Sequence, residues 1–105
     1  MKFTSYLQDG MLTIVLTGEI DHHCAKHYIQ IITGKIEAYT PQICILDFQE
    51  VTFMDSSGIA VVINALRNMG KIEGKLEIVG LQPQPMKVFR ASGVDKLIIM
   101  KEEVK

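Results

Sequence analysis

Ile43-Cys44-Ile45-Leu46 is apolar without a break and is bounded by Pro41 and Asp47. A run this short has the length of a strand, and its continuous apolarity suits a strand covered on both faces, as in a parallel sheet. The period is helical on either side of it. Upstream, Cys24, Tyr28, Ile31, Ile32 and Ile36 recur every three or four residues; downstream of Asp55, Ile59, Val62, Ile63, Leu66 and Met69 do the same. A buried strand between two amphipathic helices predicts βαβ units.

The rest of the chain extends this pattern. Phe3–Gln8 and Met11–Thr17 are short β-like runs joined by Asp9-Gly10, a dipeptide that favours a two-residue hairpin turn. They predict an antiparallel opening pair with the first strand at a sheet edge. Asp21 can cap the first helix, Gly34 weakens it slightly and Pro41 stops it. Gly70 falls where the second helix would be C-capped, and Leu76–Val79 reads as a strand. Pro83 and Pro85 suit the first turn of a short third helix containing Met86, Val88 and Phe89, which Gly93 ends before a last strand at Leu97–Met100. The order β-β-α-β-α-β-α-β predicts an α/β fold, with a mixed, mostly parallel sheet opened by a hairpin and covered by helices. Periodicity does not assign each helix to a face.

The chain has 105 residues, enough for a single domain over positions 1–105 with a core that needs no staples. A net charge of -1 marks no nucleic-acid or anionic-membrane surface. No stretch approaches the roughly 18 apolar residues of a membrane span. The opening Met1-Lys2-Phe3-Thr4-Ser5-Tyr6 has no apolar run of signal-peptide length. Cys24 and Cys44, the only cysteines, do not make a disulfide framework and point to a reducing cytoplasm.

The chemistry concentrates in Val51-Thr52-Phe53-Met54-Asp55-Ser56-Ser57-Gly58-Ile59. Asp55 and Ser56 are both good N-cap residues, which puts Ser57 in or beside the first helical turn, near the positive end of the helix dipole. Gly58 carries no side chain, so a partner could approach the Ser57 hydroxyl closely. Four readings compete. The residues could simply cap a helix. Ser57 could be a nucleophile, but Gly-x-Ser-x-Gly is missing and no base is assigned to it. A phosphate site could be sought in Gly70-Lys71-Ile72-Glu73-Gly74-Lys75, which is one residue short of a P-loop and precedes a strand instead of following one. Finally, Ser57 could be an accessible phosphoacceptor.

Phe53-Met54-Asp55-Ser56-Ser57-Gly58 resembles the phosphorylation motif of the anti-sigma factor antagonists of the STAS family. Leu16-Thr17-Gly18-Glu19-Ile20-Asp21-His22-His23 resembles the segment leading into the first helix of the sporulation (anti-sigma-F) members, and Phe89-Arg90-Ala91-Ser92-Gly93-Val94 resembles their Phe-x-x-Ser-Gly-Leu segment. The three matches occur in family order and span nearly the whole chain. The resemblance implies the STAS fold and a non-enzymatic partner switch. The unmodified protein binds an anti-sigma factor that is also a serine kinase, releasing the sigma factor. Phosphorylation of Ser57 ends that interaction, and a PP2C-type phosphatase restores it. The implied partner surface comprises Asp21, Asp55, Ser56, Ser57 and Gly58, with no catalytic residue and no cofactor. The same family also implies an alternative, an interaction STAS domain of a stressosome or lipid-transport subunit whose serine is never phosphorylated. Ile59-Ala60 replaces the Leu-Gly of many members, and the chain stops so soon after Lys101-Glu102-Glu103-Val104 that the family's closing helix would be very short or absent.

His22, His23, Cys24 and His27 are potential metal ligands. His23 and His27 have the spacing of a zinc half-site on one helix face, but no third ligand is evident and no metal site is expected. Cys24, Cys44 and the six methionines read as apolar fillers.

Overall fold

The computed structural model describes residues 2–102. Its elements are β1 (Lys2–Gln8), β2 (Met11–Ile20), α1 (Ala25–Tyr39), β3 (Ile43–Met54), α2 (Ser56–Lys71), β4 (Lys75–Val79), α3 (Pro83–Ser92), a 3-10 turn (Val94–Lys96) and β5 (Ile99–Lys101). The opening hairpin forms as the sequence requires: Asp9 and Gly10 take φ of 54° and 79°, the two positive values a type I′ turn needs.

The sheet order is β1-β2-β3-β4-β5, with β1 antiparallel to β2 and every later pair parallel. This order decides where the helices lie. From β2 to β5 each crossover moves one strand onward in the same direction, and crossovers of one hand then put their helices on one face. The core follows. Leu12, Ile14 and Leu16 of β2, Cys44, Leu46 and Phe48 of β3, and Leu76 and Ile78 of β4 form one cluster with Tyr28, Ile32 and Ile36 of α1, Val61, Val62, Ala65 and Met69 of α2, and Phe89 of α3. The helices therefore cover one face of the sheet. Ile45, Val79, Thr13 and Asp47 alternate with the core residues and lie outside that cluster, although they too are buried.

Several boundaries differ from the sequence expectation. α1 starts at Ala25 with Cys24 as its N-cap residue, because residues 21–24 first make a turn around the Asp21 carboxylate. α2 passes Gly70 and ends at Lys71. β2 and β3 run to Ile20 and Met54, well beyond their apolar cores. β5 is Ile99–Lys101 instead of Leu97–Met100. The expectation about a closing helix falls mainly on residues 103–105, outside the described residues.

Candidate functional site

β2 and β3 end side by side. Ile20 pairs with Met54, and the Asp55 N–H donates to the Ile20 carbonyl at 3.2 Å. Parallel neighbours lie about 4.8 Å apart, so Asp21 and Asp55 leave the sheet together at its carboxyl edge. Open α/β sheets characteristically bind their ligands at that edge.

Asp55 is the N-cap of α2. Its backbone is extended and its Oδ1 accepts the Ser57 N–H at 2.8 Å, which satisfies one of the orphan donors of the first turn. Ser56 is exposed and Ser57 half-buried, as the first and second residues of the helix. A glycine after Ser57 suggests room for an approaching partner. The structure instead turns Gly58 inward: it is buried, and a Cβ there would stand 2.7 Å from Met54 Cε and 3.2 Å from Met54 Sδ and Cβ. Packing against Met54 is what requires glycine.

Asp21 does not cap α1 with its side chain. Its Oδ1 accepts the His23 N–H at 2.9 Å and its Oδ2 lies 3.5 Å from His23 Nδ1, while its carbonyl accepts from the Cys24 and Ala25 N–H groups. The His23 N–H holds the Asp21 carboxyl below the ordinary carboxylate range, and the His23 imidazole adds to this. His22 and His23 are exposed, with ring centroids 4.0 Å apart. His23 lies in the turn before α1, so it does not share a helix face with His27. Among the described residues no three His, Cys, Asp or Glu side chains are grouped to hold a metal ion. Cys24 and Cys44 form no disulfide; the Cys24 thiol donates to the Glu19 carbonyl at 3.3 Å, and burial pushes the Cys44 pKa up to about 12.

Two features escaped the sequence reading. Phe53 is 41% exposed beside the loop. It pairs with Glu19 and alternates with buried Met54, so it points away from the core. From α3, the Gln84 side chain accepts the Met54 N–H at 2.9 Å and donates to the Met54 carbonyl at 3.0 Å, and Gln82 donates to the Gln49 carbonyl at 2.8 Å. Two glutamines alternating with prolines, Gln82-Pro83-Gln84-Pro85, are visible in the sequence, but nothing there tells which strand they meet.

Residues 2–105 match the family model described as the STAS domain. An anti-sigma F factor antagonist of Lysinibacillus sphaericus is 31% identical over 83 residues, covering 79% of this chain and 71% of that protein. The solved structure of the anti-sigma factor antagonist SpoIIAA in its unphosphorylated form superposes with a TM-score of 0.81 at 27% identity, covering 94% of this chain and 87% of that one. The Bacillus cell fate determinant SpoIIAA in the phosphorylated form gives 0.72 at 27% identity, covering 94% and 90%. Among the described residues no helix is long and apolar enough to cross a membrane.

Proposed function

The chain belongs to the STAS domain family, and on that premise we propose that it is a cytoplasmic anti-sigma factor antagonist switched by phosphorylation of Ser57. One observation carries the reading. Ser57 is half-buried in the first turn of α2, fixed through its N–H by Asp55, at the edge that Asp21 shares. The similarity to SpoIIAA, solved in unphosphorylated and phosphorylated forms, supports it.

The unmodified edge is the docking surface for an anti-sigma factor with serine kinase activity. Ser56 adjoins Ser57 there, Asp21 leaves β2 at the same edge, and exposed Phe53 precedes the loop on β3. In the kinase step the Ser57 Oγ attacks the γ-phosphorus of ATP. The new O–P bond forms as the bond to ADP breaks, and the hydroxyl proton passes to a base of the kinase. A PP2C-type phosphatase hydrolyses the ester with water. The chain itself supplies a substrate hydroxyl and a surface, not a catalytic apparatus.

The phosphate takes the net charge from -1 to about -3. At the start of α2 it gains from the helix dipole and loses to repulsion from the Asp55 carboxylate, which already occupies the cap. These effects are each about 1 kcal/mol and opposite in sign, so the fold keeps its stability. The interface does not. A partner packed over the helix start must desolvate a doubly charged group without a matched cation, which costs several kcal/mol, roughly a hundredfold or more in affinity.

The test is incubation with ATP and the anti-sigma kinase, phosphopeptide mapping, and partner titration with amide NMR before and after. Stoichiometric phosphate on Ser57, lost in Ser57→Ala, is expected, with shift changes confined to the carboxyl edge. Phosphate persisting in Ser57→Ala would overturn the assignment. Equal affinity of the two forms would overturn the exclusion mechanism. An unmodified Ser57 in a chain that still binds a partner would make this an interaction STAS domain.

A further inference from the structure

The seven residues from Phe48 to Met54 outrun β4, whose pairing with β3 stops at Asp47 and Val79. Without β4 beside it, this half of β3 would present unpaired N–H and C=O groups on one side, which proteins rarely leave unsatisfied in their interiors. Side chains from the start of α3 meet them. The chain reaches that position by passing close to β3 at Gly80, where φ is +72° and a Cβ would stand 3.0 Å from Gln49 Cβ and 3.1 Å from its Cα. Both the positive φ and the close approach demand glycine. Gln82 then bonds the Gln49 carbonyl, and Gln84 takes both the N–H and the carbonyl of Met54. Gln84 thus copies the exchanged pair of bonds that a residue of a neighbouring antiparallel strand would give.

We propose that Gln84 is a positioning residue for the switch loop: its side-chain amide, bonded to both backbone groups of Met54, fixes the strand end that carries Asp55 and Ser57. The proposal rests on the reading of Ser57 as the phosphoacceptor. Three linked restraints lead from α3 to the serine. Gln84 holds Met54; the next residue, Asp55, is tied to Ile20 through its N–H; and the Asp55 carboxylate holds the Ser57 N–H. The mount is stiff. Pro83 and Pro85 flank Gln84 with fixed φ, Pro85 is buried, and Phe89 sets α3 edge-to-face on Phe48 with ring centroids 5.5 Å apart. The amide is also specific. Glutamate would accept from the Met54 N–H but, ionised, could not donate to the carbonyl, and alanine would do neither.

The experiment compares wild type, Gln84→Ala, Gln84→Glu and Asn68→Ala. Asn68 bonds Thr33 and Asn64 between α1 and α2 and serves as a control for stability loss away from the edge. The readouts are kcat and KM for phosphorylation by the anti-sigma kinase, and hydrogen exchange at the Met54, Asp55 and Ser57 amides. Misplacing a reacting group is costly even when binding survives. Gln84→Ala is expected to lower kcat about tenfold, with KM little changed, and to lose protection at Met54. Gln84→Glu should retain protection at Met54 and fall between wild type and Gln84→Ala in kcat. Asn68→Ala should keep the wild-type kcat at a comparable loss in Tm. Wild-type kcat and Met54 protection in Gln84→Ala would overturn the proposal. Should that variant fail to fold, wild-type kcat in Gln84→Glu would do the same. Absence of phosphate on wild-type Ser57 refutes the functional reading instead, and the exchange rates still report whether Gln84 holds the loop.

Discussion

Replacing Gly58 with alanine separates two reasons for a glycine beside Ser57. If Gly58 exists so that a partner can come close, alanine should weaken binding and leave the fold alone. If it exists because Met54 fills the space, alanine should weaken the fold. The new methyl would sit 2.7 Å from Met54 Cε and 3.2 Å from its Sδ and Cβ. The Cε is the end of a flexible chain and can swing. The Cβ cannot, because the Met54 backbone is held by the register with Ile20 and by both bonds from Gln84. Overpacking of this kind costs about 1–3 kcal/mol. Alanine recovers about 1 kcal/mol over glycine through helix propensity. The expected net loss is therefore about 1 kcal/mol, a fall in Tm of about 5 °C for a domain of this size. Urea denaturation of Gly58→Ala, Met54→Ala and the double variant checks the cause. Met54→Ala alone opens a cavity at a fully buried site and should cost about 2–5 kcal/mol. In that background the contacts with Cε and Sδ are gone and only the one with the fixed Cβ remains, so the Gly58→Ala step should cost less than it does in wild type. A Gly58→Ala protein as stable as wild type, with partner affinity lost, would refute the packing argument and return Gly58 to the interface.

Asp21→Ala should lower partner affinity or phosphorylation more than it lowers Tm, since its carboxylate is tied only to the turn at His23; titrating the partner and melting the same variant compares the two losses. The depressed Asp21 pKa means that its contribution to stability is present above the unfolded value of 3.8 and is lost as pH falls through the folded value, so Asp21→Ala should flatten the acid limb of the wild-type stability curve. Cys44 behaves oppositely. Its thiol is held neutral up to about 12 against 9.0 in the unfolded chain, so the folded state binds the extra proton and stability should fall as pH rises between those values, less so in Cys44→Ala. At neutral pH native Cys44 should resist iodoacetamide while half-buried Cys24 reacts, as peptide mapping of the alkylated protein would show.

Local chemistry made much of the fold readable. Asp9-Gly10 specifies its turn, Asp55 caps α2, and Gly93 ends α3 in the left-handed conformation at φ 81°. The motif around Ser57 marks the candidate site, and the register brings Asp21 beside Asp55. What was not readable depends on partners distant in sequence. β3 continues past its apolar run although Gln49 and Glu50 are exposed and its pairing with β2 shifts register between Val15 and Thr17 and again between Gly18 and Glu19. Those shifts destroy the period of two from which a strand is recognised. The extension persists because β2 lies along one side and glutamine side chains along the other. The inward role of Gly58 was hidden for a similar reason: a glycine near a serine suggests access until the side chain beneath it is known.

The same arrangement constrains how a switch at Ser57 can work. The loop is anchored on three sides, by the Ile20 carbonyl, by the Asp55 cap and, through Met54, by Gln84. Beneath it Met54, Gly58 and Ile59 are buried against the common core. A close-packed support of this kind gives way only in discrete rearrangements that cost more than the roughly 1 kcal/mol a surface phosphate can supply. The added charge therefore has little leverage on the fold and a large one on any surface that must close over it. On the proposed reading of Ser57, a small domain with a stiff serine mount would transmit its state by changing which partner can dock, and the stiffness proposed for α3 would keep the two states alike everywhere except at that edge.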